Sequence, residues 1–113
     1  MSALFSGLFG GGGSKMTPEE AKAIMDSGED YTLVDVRSQA EFSGGHIKGA
    51  ICLPVDTIQV TAPKTLKDKD AKILIYCQSG GRASQATSVL TGLGYTDVHN
   101  FGGLMQWKYG TVA

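Results

Sequence analysis

The stretch Ile73-Leu74-Ile75-Tyr76-Cys77-Gln78-Ser79-Gly80-Gly81-Arg82-Ala83 passes from an apolar run through a small-residue turn into an amphipathic segment. Ile73 to Tyr76 read as a buried strand, and Ala83, Ala86, Val89, Leu90 and Leu93 then recur at helical spacing, predicting a helix from Arg82 to Leu93. Cys77 is thereby placed where a strand ends and a helix begins. The first N–H groups of a helix lack intrahelical partners, and with the helix dipole they make a partly positive pocket that favours a thiolate or an oxyanion. Ser79, Gly80 and Gly81 let the loop curl until several N–H groups face one centre, and Arg82 adds a permanent cation where the loop closes. A lone cysteine at a strand end is by default a core residue. Its setting in this loop is what makes Cys77 a candidate nucleophile.

Outward from this loop, the bulk properties set limits. A chain of 113 residues holds one domain with a real core. Hydrophobic residues at 42% and charged residues at 19% are those of a globular protein, so disorder is expected only at the ends. A net charge of -1 gives no electrostatic footprint for nucleic acid or an anionic membrane. Two cysteines, Cys52 and Cys77, are too few for a disulfide framework, which points to a reducing, cytoplasmic setting.

Residues 1–14 differ from the rest. Leu4, Phe5, Leu8 and Phe9 precede four consecutive glycines, Gly10 to Gly13. The segment lacks the basic start of a signal peptide, its apolar run is broken by Ser6 and Gly7, and no run approaches the ~20 apolar residues that span a bilayer. It reads as a flexible tail with a glycine linker, the alternative being a short sticky helix. The domain is expected over 15–113.

Thr17-Pro18-Glu19-Glu20 predicts a helix start, with Thr17 as N-cap, Pro18 in the first turn, Glu20 closing a capping box, and Gly28 as the stop. Residues 31–36 read as a strand with Asp35 and Arg37 at its carboxyl end, where open parallel sheets bind ligands. The same two residues also fit a local turn, with Asp35 capping it and Arg37 paired to Asp35 or Glu41. A short helix is expected over 38–43, then a glycine-rich turn in which His46 acts as a loop clamp more readily than as an acid or base. Residues 50–53 read as a third strand carrying Cys52 in the core. Two short helices are expected after Pro54 and near Pro63, and the lysine-rich stretch 64–72 reads as a solvated face. A last strand is expected at 97–101, then a Gly102-Gly103 turn and a short helix beginning at Leu104 that carries Trp107 into the core. Alternating strands and helices imply parallel pairing in an α/β fold with helices on both faces.

Taken together, Leu33-Val34-Asp35-Val36-Arg37, Glu41-Phe42, Gly45-His46-Ile47-Lys48-Gly49-Ala50, the loop from Cys77 to Arg82, and Phe101-Gly102-Gly103 with Trp107 resemble the rhodanese family in order and spacing. A proline common in that family after the isoleucine of the second motif is Lys48 here. The resemblance, closest in length to the single-domain rhodaneses, implies a doubly wound, mostly parallel five-stranded sheet. It also implies that Cys77 carries a sulfane sulfur as a persulfide, taken from a donor such as thiosulfate and passed to cyanide or a thiol. Gln78, Ser79, Gly80, Gly81 and Arg82 would hold the substrate, with Arg82 attracting an anionic donor, while Asp35 and Arg37 support the loop. No metal or organic cofactor is implied.

Two other readings stand beside this one. A persulfide carrier or sensor would deliver sulfur to a protein partner, with the apolar tail as a docking element. Related phosphatases and arsenate reductases have a cysteine loop one residue longer; the four residues between Cys77 and Arg82 favour sulfur.

Overall fold

The computed structural model describes residues 13–113. Its sheet has five strands, β1 Gly13–Lys15, β2 Thr32–Asp35, β3 Ile51–Cys52, β4 Ile73–Cys77 and β5 Val98–Gly103, in the spatial order β1-β5-β4-β2-β3 with every pair parallel. Four helices connect them: α1 Pro18–Asp26, α2 Gln39–Ser43, α3 Ile58–Thr65 and α4 Gly81–Gly92.

Side chains alternate across a strand, so β4 feeds two cores. Ile73, Ile75 and Cys77 point to one side, where they pack with Ile58 and Ala62 of α3 and Ala83, Ala86 and Leu90 of α4. Leu74 and Tyr76 point to the other, against Ala21 of α1, Leu33, Ile47 and Phe101, with Trp107 partly buried beside them. The sheet is therefore doubly wound, as the alternation of elements implied. The Trp107 indole N–H donates to the Gly110 carbonyl at 3.0 Å.

Local signals place α1 as expected. The Thr17 hydroxyl accepts from the Glu20 N–H at 3.0 Å, and the Glu20 carboxylate accepts from the Thr17 N–H at 2.8 Å. Three readings need correction. Gly13 and Ser14, assigned to a tail over 1–14, belong to β1, where pairing with β5 supplies the order that a glycine-rich sequence lacks. The rest of that expected tail lies outside the described residues. In place of two helices around Pro54 and Pro63 there is one, α3, with Pro63 inside it, seated by the buried Ile58 and Ala62. The Gly102-Gly103 pair is the end of β5 and not yet a turn, and Leu104–Gln106 make a single 3-10 turn after it, with Trp107 just beyond.

Candidate active site

Cys77 ends β4 in register with Gly103 of β5 and is 1% exposed. Its Sγ accepts the Gly80 N–H at 2.9 Å and the Ala83 N–H at 3.4 Å. Helix α4 begins one residue after Gly80, so both donors come from the helix mouth. Gly80 has φ +111, a backbone state costly for any residue with a side chain, and it is what turns the chain sharply enough to aim its N–H back at the sulfur. The Gly81 and Arg82 N–H groups, also in the first turn, take no partner among the described residues. The loop from Cys77 to Ala83 thus forms a cradle in which two backbone donors, Gly80 and Ala83, converge on one sulfur.

What holds the cradle comes from β5 and the 3-10 turn that follows it, and was not legible as such. The Met105 N–H donates to the Gln78 carbonyl at 3.1 Å. Asn100, 8% exposed, accepts the Gly102 N–H at 2.8 Å and reaches the Gly80 carbonyl at 3.4 Å. Gly103 lies so close behind the loop that a Cβ there would stand 2.2 Å from the Gln78 carbonyl oxygen. The Phe101-Gly102-Gly103 motif carried this signal, but only the fold shows which backbone it backs. A cleft of about 410 Å³ opens beside the loop between Ser79, Gly102, Gln106 and Lys15.

Asp35 and Arg37 form a closed unit under the neighbouring strand end. The Arg37 Nη2 donates to Asp35 Oδ2 at 2.7 Å and its Nε to Asp35 Oδ1 at 3.0 Å, both residues being almost fully buried. Burial works against the Arg37 charge, but the hydrogen bonds and field of Asp35 outweigh it and leave the guanidinium above its ordinary pKa. Arg37 Nη2 also donates to the Gly45 carbonyl at 2.7 Å, tying down the turn that carries His46. Neither residue hydrogen-bonds Cys77. His46 stacks on Phe42 with centroids 3.8 Å apart, and its Nδ1 lies 2.8 Å from the Phe42 carbonyl, the geometry of a clamp.

Arg82 is not the free cation its place in the sequence suggested. It meets Glu41 of α2 with both nitrogens, Nη1 to Oε1 at 2.7 Å and Nη2 to Oε2 at 3.0 Å. Glu41 Oε1 also accepts from the Ser38 N–H at 3.1 Å, closing a capping box on α2. Arg82 above all, then that backbone N–H, holds the Glu41 carboxyl down at about 2, so the pair stays ionised at neutral pH. Forty-one positions separate the partners, and the sequence offered Glu41 as a partner for Arg37 and not for Arg82.

Cys52 is half-buried at the end of the edge strand and not in the core as expected, with its Sγ 3.6 Å from the Arg37 carbonyl. β2 lies between its strand and that of Cys77. Two strand spacings, roughly 9.5 Å, exceed the ~4.4–6.8 Å between Cα atoms that a disulfide allows. Burial, then the charge of Asp35, also pushes the Cys52 thiol up, away from the reactive thiolate. Cys52→Ala is expected to leave sulfur loading of Cys77 within about twofold of wild type, read by intact-protein mass spectrometry; a large loss would mean that the two thiols communicate.

Among the described residues no helix is long and apolar enough to cross a membrane. Residues 17–109 match the family model for the rhodanese-like domain. A sulfurtransferase of Allochromatium vinosum is 41% identical over 80 residues, covering 70% of this chain and 73% of that protein. Thiosulfate sulfurtransferase PspE of Escherichia coli is 34% identical, covering 63% of this chain and 68% of that protein. The chain matches the probable adenylyltransferase/sulfurtransferase MoeZ of Mycobacterium tuberculosis at 33% identity but spans only 24% of its length. Among solved structures, the rhodanese-like domain of an Anabaena protein superposes with TM-score 0.80 at 30% identity, covering 88% of this chain and 78% of that one. The human single-domain sulfurtransferase TSTD1 gives TM-score 0.72 at 29% identity, covering 82% and 93%. With the match running from the cap of α1 to beyond Trp107 and taking in the whole cysteine cradle, this chain belongs to the rhodanese-like domain family.

Proposed function

We propose that the protein is a sulfurtransferase that carries a sulfane sulfur on Cys77, taking it from a donor such as thiosulfate and giving it to cyanide or a thiol. The observation that carries this reading is the convergence of the Gly80 and Ala83 N–H groups on the Cys77 Sγ. In the first half-reaction the Cys77 thiolate attacks the outer sulfur of thiosulfate. A new S–S bond forms, the old one breaks, and sulfite leaves with its electron pair. In the second, the acceptor attacks the terminal sulfur and Cys77 returns as a thiolate. The N–H groups of Gly81 and Arg82 are free to hold the charge of the terminal sulfur. Asp35 and Arg37 support the site from outside by fixing the strand end and the Gly45 turn.

The domain on this reading starts with β1 at Gly13. Two free thiols that cannot pair with each other suit a reducing compartment such as the cytoplasm. Mass spectrometry after mixing with thiosulfate is the test. Wild type is expected to gain one sulfur atom and Cys77→Ser none; a gain that survives in Cys77→Ser places the sulfur elsewhere and overturns the assignment. A sulfur-accepting protein partner is the second use that the same persulfide supports.

A further inference from the structure

We infer that Glu41 sets which donor charge the cysteine loop accepts, by cancelling Arg82 and so favouring singly charged sulfur donors over the thiosulfate dianion. The inference rests on the sulfurtransferase reading. The chain has two arginines, and both meet internal carboxylates, Arg37 at Asp35 and Arg82 at Glu41. The remaining loop side chains, Gln78 and Ser79, are uncharged. The cradle therefore works through backbone N–H dipoles, which serve a developing thiolate at short range but supply no net positive charge to a dianion approaching from solvent.

Glu41 is built to do this. Its two oxygens take both terminal nitrogens of Arg82, and the capping hydrogen bond from Ser38 fixes its rotamer. Arg82 lies within the electrostatic reach of Cys77, whose charge, after that of Glu41, favours the guanidinium. A released Arg82 would be felt at the sulfur. Lys15 borders the cleft beside the loop together with Ser79 and Gly80.

Glu41→Gln is the informative change, because the amide oxygen can still accept from Ser38 and Arg82 while the charge is gone. Two donors are compared, thiosulfate and methanethiosulfonate. Each gives the same sulfur to the Cys77 thiolate, one releasing sulfite and the other methanesulfinate, so each side of both reactions balances and the donors differ by one charge. For a half-exposed site, Glu41→Gln is expected to raise kcat/KM for thiosulfate about fivefold relative to methanethiosulfonate. The gain should sit in KM and shrink with added salt, a response that a merely structural change in the loop would not give. An unchanged donor ratio in a folded variant overturns the inference. Failure of wild type to transfer sulfur from either donor overturns the sulfurtransferase reading itself, and the inference with it.

Discussion

Gly103→Ala is expected to lower the rate of Cys77 sulfur loading by about 100-fold or more, the scale set by a displacement of roughly 1 Å in a reacting group. The new Cβ would sit 2.2 Å from the Gln78 carbonyl oxygen and 2.6 Å from the Ser79 nitrogen, both backbone atoms of the cradle itself. No rotamer relieves such an overlap. Either the loop moves out, carrying the Gly80 N–H off the sulfur, or β5 moves back and loses its register with Cys77. A stability loss of about 1–3 kcal/mol should accompany the change, as for overpacked cores generally. Gly81→Ala is the control: nothing lies within 4 Å of its Cβ position, its backbone is already helical, and its N–H is retained. Single-turnover loading from thiosulfate distinguishes the two. A wild-type rate in Gly103→Ala would show that the loop is not braced from behind.

Asp35→Asn is expected to cost about 3–5 kcal/mol, because it leaves the Arg37 guanidinium buried without its carboxylate. Set against a typical total of roughly 5–15 kcal/mol, that leaves a marginal fold. The larger part of the cost is the stranded charge and not the lost contact. Asp35→Asn combined with Arg37→Met should therefore be more stable than Asp35→Asn alone, although the guanidinium and its hydrogen bonds are then missing as well. Urea unfolding of the three proteins reads both terms. A loss below about 1 kcal/mol for the single variant would mean that water reaches Arg37 in the folded state.

The cysteine cradle was legible because it is contiguous. Six residues in a row carry the strand end, the tight turn and the helix mouth, and each has its own local preference. The capping box of α1 was legible for the same reason. What escaped the sequence is what pairs across it. Arg82 read as a free cation and Glu41 as a neighbour of Arg37, and their meeting depends on how α2 and α4 are set over the sheet. Gly103 reads as turn punctuation until β5 is seen to run past Cys77. β1 has no β-branched or aromatic residue to announce a strand, and its extended form comes from hydrogen bonding to β5. The stretch around Pro54 and Pro63 read as two short helices, but one helix of eight residues anchored by Ile58 and Ala62 takes Pro63 inside it.

The pairing of β1 with β5 also bears on the order in which the molecule is made. Ser14 meets the His99 ring across a gap of 85 positions, so the chain entropy lost in closing that contact is among the largest in the fold. The β2, β4 and α4 contacts that shape the cysteine cradle span far shorter loops. On the ribosome, β1 leaves the exit tunnel before the other described strands, yet it has no neighbour to join until β5 follows. The first of the described strands to be synthesised thus waits for β5, the same strand whose Gly103 backs the cysteine loop, so the sheet edge and the cradle are completed by one late arrival.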